Sequence, residues 1–187
     1  MRVIAGSARS LPLKTLKTGD TRPTTDRIKE TLFNILMPDL PGCRFLDLFA
    51  GAGAIGIEAL SRGAKEAYFV EKNTDAVKII TENLKFTKLH DKAKVLKRDA
   101  YDAVAELAGN GVFDIVFIDP PYGKQMGFEM LKVLKRSGIA DEDTLVVIEE
   151  DLSDEIAEGD VFSGFEIKRI KKYRSNRHIF LKKIDQP

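Results

Sequence analysis

The chain has 187 residues, 43% of them hydrophobic and 32% charged, with 7 Pro and 14 Gly. At ~150 residues per domain this is one packed domain with a small appendage, and the composition excludes collagen-like or low-complexity disorder. A single cysteine, two separated histidines and no apolar run near ~20 residues exclude a disulfide framework, point away from a metal centre and leave no candidate membrane span. With no apolar leader after Met1, a soluble cytoplasmic protein with no metal is expected. The net charge of +1 is unevenly spread: residues 1–44 hold 8 Lys/Arg against 4 Asp/Glu, residues 45–161 hold 14 against 23, and residues 162–187 hold 8 against 2. Two basic ends around an acidic body suit either a polyanionic partner or two solvated faces.

In chain order, residues 2–5 and 11–16 read as short extended pieces that can form a hairpin, followed by a turn at Lys17–Asp20. Arg22-Pro23-Thr24-Thr25-Asp26 reads as a helix start, with threonines for the cap and an acid in the first turn. Ile28, Leu32, Ile35 and Leu36 then share one helical face, and Pro38 and Pro41-Gly42 end it. Cys43, just before the next strand, reads as packing. From residue 44 the pattern alternates. Strands are expected at 44–49, 67–71, 94–96, 113–118 and 144–149, and helices at 54–62, 74–86, 101–107 and 128–135. Such alternation predicts a parallel sheet with helices on both faces. Two last extended runs, 165–172 and 177–183, flank Ser175-Asn176 and should pair antiparallel.

Gly51, Gly53 and Gly56 follow the first strand of that alternation and open a helix, in the spacing G-x-G-x-x-G. Glycines there permit a tight turn and let a ligand approach bare backbone. Glu71 ends the next strand, where a carboxylate can accept both hydroxyls of a ribose. Asp47 lies four residues before Gly51. It would repel a dinucleotide's diphosphate by ~4 kcal/mol at ~4 Å and an effective dielectric of ~20, but attract the ammonium and sulfonium of S-adenosylmethionine. Asp99, after the third strand, can accept from an adenine amino group or cap a helix. Three acids at consecutive strand ends therefore favour S-adenosylmethionine over NAD.

Asp119-Pro120-Pro121-Tyr122 ends the fourth strand. The exocyclic amine of a base is a poor nucleophile because its lone pair is delocalised. An Asp119 carboxylate oxygen and the Pro120 carbonyl can accept both amine hydrogens, which favours a pyramidal nitrogen and frees its lone pair. The two prolines stiffen the turn, and Tyr122 can stack on the base.

Phe45–Gly56, Glu71, Asp99 and Asp119–Tyr122 resemble the motifs of class I S-adenosylmethionine-dependent methyltransferases that act on amino groups. Arg2–Gly6, Arg22–Arg27, Leu32-Phe33-Asn34, and Asp47–Gly51 running on to Glu58–Ala64 are similar to the RsmD-type family. That family methylates guanine N2 in bacterial small-subunit (16S) rRNA. The resemblance implies an α/β, Rossmann-like class I fold: a mostly parallel seven-stranded sheet with its last strand antiparallel, plus an N-terminal β-hairpin extension. It implies a hairpin arm at 1–21 and a methyltransferase domain at 22–187. Asp119, Pro120, Pro121 and Tyr122 would be the catalytic motif, and Asp47, Phe49, Gly51, Gly53, Glu71, Asp99 and Ala100 the cofactor site. The chain departs from the family pattern in three places. Ala52 stands where serine is usual, Ser10 follows Arg9 where arginine-glycine is common, and Arg174 follows Tyr173 where glycine is expected.

A base stacked in a helix cannot reach Asp119, so the target is looped out or flipped. Arg2, Arg9, Lys14, Lys17, Arg22 and Arg27 are expected to form a basic arm against RNA phosphates. Lys171, Lys172, Arg174 and Arg177 form a second candidate surface; His90 and His178 read as surface or hydrogen-bonded residues, with His178 a further RNA-contact candidate. Small-subunit rRNA or a ribosomal particle is the expected partner, no membrane is involved, and a monomer is expected. Competing readings are the same chemistry on adenine N6 or a protein glutamine, an NAD-dependent oxidoreductase, and an RNA-binding module without catalysis.

Overall fold

A computed structural model of the chain describes residues 1–16, 25–121 and 126–184. It divides into two compact units, Met1–Ala100 and Tyr101–Pro187. The expected arm boundary at 21/22 lies outside the described residues, as do Lys17, Arg22 and Tyr122.

In the first unit, helix α1 (Asp26–Leu36) starts where the threonine signal placed it. The Thr25 side chain accepts from the Ile28 N–H, and Leu32, Phe33 and Leu36 are buried. Strands β1 (Arg44–Asp47), β2 (Glu66–Val70) and β3 (Ala93–Leu96) pair parallel in the order β3-β2-β1. Helices α2 (Ala54–Ser61) and α3 (Thr74–Phe86) connect them. The Asn73 side chain caps α3, accepting from Asp75 N and Ala76 N, and every residue of α2 is buried. Cys43 is buried as expected.

The first 16 residues form a short antiparallel hairpin around an Arg2–Pro12 bridge, with Val3 N donating to Leu11 O at 3.0 Å. Ser10 holds the turn at a φ of 68°, a left-handed conformation that suits glycine. The hairpin is fastened by Glu58 of α2. Its carboxylate accepts from Ile4 N (2.8 Å) and Ala5 N (3.0 Å), and it pairs with Lys29 (3.2 Å) and Arg62 (2.7 Å). Lys29 and Glu58 are both fully buried, and the Lys29 ammonium also donates to Arg2 O at 2.5 Å. Burial pushes the Lys29 ammonium below its ordinary value while Glu58 opposes that shift.

In the second unit, α4 (Ala100–Leu107) opens at the boundary and is followed by β4 (Ile115–Ile118), α5 (Met126–Ser137) and β5 (Leu145–Glu150). Then come β6 (Val161–Phe162), β7 (Phe165–Lys172) and β8 (Arg177–Lys183). The order is β4-β5-β8-β7-β6; β4 and β5 are parallel, and β8 runs antiparallel to both β5 and β7. The predicted terminal hairpin is present over the expected residues. The described residues hold eight strands where seven were expected; the additional one, β6, is a two-residue edge piece. Residues paired across a sheet share a face. Phe117, Val147, Glu149, Phe180, His178, Arg169 and Lys171 are therefore on one face, and Ile148, Glu150, Ile179, Arg177 and Ile170 on the other. Arg177 and His178, both offered as RNA contacts, are 2% and 0% exposed. Arg177 pairs with Glu150 in the strand register and its Nη1 donates to the Asp154 carbonyl at 2.6 Å, so it belongs to the interior and not to an RNA surface.

Candidate active site

Asp47 ends β1 and is 1% exposed. Its Oδ2 accepts from the Gly56 N–H at 3.2 Å, and among the described residues it makes no ion pair. Burial pushes its carboxyl up to about 7; the Gly56 and Phe49 amides oppose this, and the neighbouring Glu71 charge adds to it. A buried carboxylate facing amide dipoles but no cation is short of positive charge.

The glycine loop is built by backbone demands. Gly51 and Gly53 take φ of 53° and 80°, and Gly53 is the N-cap of α2 with no side-chain cap. A Cβ on Gly56 would lie 2.3 Å from the Phe69 ring, so glycine there lets α2 sit close on β2. Glu71 reaches the same loop: Oε2 accepts from Gly51 N at 2.9 Å and Oε1 from Asn73 N at 2.8 Å. A carboxylate has about four lone-pair sites, so each oxygen keeps one for a hydroxyl. Asp99 is half-exposed, with the Lys72 ammonium 3.8 Å away, and Ala100 beside it is buried.

One contributor was not legible in the sequence. Asn83, buried on α3, donates to Ala52 O and Lys14 O at 3.0 Å each and accepts from Lys14 N at 2.9 Å. It clamps the tip of the glycine loop to the N-terminal hairpin. In sequence Asn83 is only one polar residue in an amphipathic helix.

In the second unit Asp119 and Pro120 follow β4 directly, Asp119 partly exposed and Pro120 buried, with Pro121 exposed. Of the basic residues expected to meet RNA, Arg9 and Arg27 are exposed. Arg2 pairs with Asp26 (3.0 Å) and Lys14 with Glu82 (2.7 Å). Both pairs are exposed and therefore cheap to exchange for phosphates. Among the described residues no group of three His, Cys, Asp or Glu is arranged to hold a metal, and no helix is long and apolar enough to cross a membrane.

A family model described as "Conserved hypothetical protein 95" matches residues 1–182. The chain is 40% identical over 159 residues to YlbH of Bacillus subtilis, covering 84% of this chain and 86% of that protein. It is 35% identical over 150 residues to the ribosomal RNA small subunit methyltransferase D of Haemophilus influenzae, covering 80% and 78%. The solved structure of Escherichia coli yhhF matches with a TM-score of 0.86 at 30% identity, over 100% of this chain and 99% of that one.

Proposed function

Because the chain belongs to the RsmD-type family of S-adenosylmethionine-dependent rRNA methyltransferases, with their class I α/β fold, we propose that it methylates the exocyclic N2 amine of a guanine in 16S rRNA. The observation that carries the reading is the pair of carboxylates wired to the glycine loop: Asp47 through Gly56 and Glu71 through Gly51. The residues fit the cofactor. The buried Asp47 lacks a cation, which an ammonium or sulfonium provides; Glu71 has lone pairs for ribose hydroxyls; the glycines leave the backbone bare for close approach. Asp99 and Ala100 would border the adenine and Phe49 the loop entrance.

When bound, S-adenosylmethionine supplies a methyl group made electrophilic by its sulfonium. Asp119 and the Pro120 carbonyl accept the hydrogens of the acceptor amine and hold its lone pair free for attack. With the cofactor bound, its methyl would pass to that nitrogen with S-adenosylhomocysteine as the leaving group, and the amine's surplus proton would depart along its hydrogen bond to Asp119. Pro120 and Pro121 keep that carbonyl aimed, and Tyr122 stacks on the base. A carboxylate only accepts, so Asp119 suits guanine, whose N1–H and N2–H donors are adjacent, better than adenine, which presents a donor beside an acceptor. Arg2, Arg9, Lys14, Arg22 and Arg27 on and after the N-terminal hairpin would hold phosphates of the substrate strand.

Transfer of labelled methyl to 16S rRNA in vitro tests this. Wild-type protein should label the RNA, and Asp119→Ala should lose at least ~10²-fold in kcat, the scale on which removing one transition-state partner acts, while still binding S-adenosylhomocysteine. Undiminished transfer by Asp119→Ala would remove the motif from the chemistry.

A further inference from the structure

Asp119 and Glu149 each follow the last residues of a parallel pair, Ile118 and Ile148, and Glu149 lies opposite His178 on β8, which lies opposite Lys171 on β7. This is one row on one sheet face, along the edge where Asp119 emerges. Glu149 is the hub of the row. Its Oε2 meets His178 Nε2 at 3.0 Å, and its Oε1 accepts from Asn176 Nδ2 at 2.6 Å. The other ring nitrogen of His178, Nδ1, meets the Tyr173 hydroxyl at 3.0 Å, and Tyr173 N donates to Asn176 O at 2.8 Å. The His178 ring packs edge-on against Phe117, Tyr173 and Phe180. Burial and the Glu149 charge push the Tyr173 phenol up to about 12, so it stays protonated, and the His178 ring links it to the Glu149 carboxylate in one hydrogen-bonded chain. The β7–β8 turn is thus bolted from both sides to the residue beside the catalytic strand end.

Arg169 and Lys171 project from this same face of β7. A bulge at Lys168 sets this, reversing the alternation so that Ile167 and Ile170 both turn to the α5 side while Arg169 and Lys171 turn to the side of Glu149 and His178. Arg169 is exposed and Lys171 half-exposed, and among the described residues neither has an ion-pair partner, whereas Lys168 is neutralised by Glu166 at 2.6 Å. Exposed Arg174 continues the series at the turn.

Resting on the reading that the substrate is rRNA, we propose that this face of β7, Arg169 and Lys171 with the Tyr173 ring between them and Arg174, is a binding track for the single-stranded RNA flanking the target nucleotide, held in register with Asp119 by the Glu149–His178–Tyr173 chain. Unpaired cations suit phosphates, and an aromatic interleaved with them suits an unstacked base.

The test is Arg169→Glu/Lys171→Glu on the full chain, with Arg169→Gln/Lys171→Gln as the milder variant should the first fold poorly. Thermal melting and S-adenosylhomocysteine affinity serve as controls expected to match wild type. With transcribed 16S rRNA as probe, KM should rise at least tenfold with kcat at saturation retained. The slope of log K against log salt should become shallower by roughly 0.7 for each phosphate released. An unchanged KM and salt slope would overturn the proposal. So would unchanged RNA binding accompanied by self-association, because charges on the stretch of β7 that β6 leaves unpaired can serve only to block strand pairing. If wild type binds RNA through these residues but transfers no methyl to it, the track stands and the proposed function falls; if wild type binds no RNA, both fall.

Discussion

Asp47→Asn separates a structural carboxylate from one reserved for a cation. In the folded protein Asp47 titrates near 7, against 3.8 in an unfolded chain, because it is buried with amide donors but no cation. Between these values the folded state holds a proton that the unfolded chain has released, so the contribution of Asp47 to stability falls as pH rises through the window. The whole loss is about 4 kcal/mol, of which about 3 kcal/mol falls between pH 5 and pH 8, at 1.36 kcal/mol per pKa unit. Asparagine is nearly isosteric and keeps an oxygen for the Gly56 N–H, yet cannot ionise. Relative to wild type, the variant's melting temperature should therefore rise by on the order of 10 °C between pH 5 and pH 8. Its affinity for S-adenosylmethionine should drop and lose its pH dependence, while wild type binds more tightly as pH rises through 7. The assay is paired thermal melts across pH 5–8 with titrations of cofactor at each pH. Parallel stability curves for the two proteins, or equal cofactor affinity at pH 8, would refute the assignment of Asp47.

Gly56→Ala places a Cβ 2.3 Å from the Phe69 ring and should cost about 1–3 kcal/mol in denaturant unfolding, with loss of cofactor binding. Glu58→Gln leaves Lys29 buried without its counter-charge; a loss of about 3–5 kcal/mol is expected, with faster hydrogen exchange at Ile4 and Ala5. Ser10→Gly relieves a left-handed φ and should stabilise by roughly 0.5–1 kcal/mol without altering methyl transfer. Charge reversal of Arg9 and Lys14 together should weaken rRNA binding and flatten its salt dependence while leaving S-adenosylhomocysteine affinity unchanged; filter binding over a salt series reads both.

The alternation of strand and helix was legible because each element's periodicity reflects a local burial requirement. α3 and the β7–β8 hairpin occur over the expected residues, and the capping threonine starts α1. The glycine spacing was legible too, since the positive φ of Gly51 and Gly53 and the close packing of Gly56 on Phe69 are backbone demands that leave glycine in the sequence. What escaped depends on partners far apart in the chain. Arg177 reads as one more basic residue of a cationic tail, and only the register with Glu150 and the Asp154 carbonyl explains its burial. Glu58 and Lys29 look like exposed helix charges until the N-terminal hairpin folds over them. The bulge at Lys168 breaks the strand's period of two, so the face on which Arg169 lies could not be counted from sequence. β6 is too short to leave any periodicity.

Identifying the modified nucleoside tests the central claim most directly. Small ribosomal subunits from a strain lacking this gene are incubated with the protein and labelled S-adenosylmethionine, and the RNA is digested to nucleosides for mass spectrometry. Label in N2-methylguanosine, lost with Asp119→Ala, is the predicted result; label in N6-methyladenosine, or none in the RNA while S-adenosylhomocysteine still binds, would contradict it.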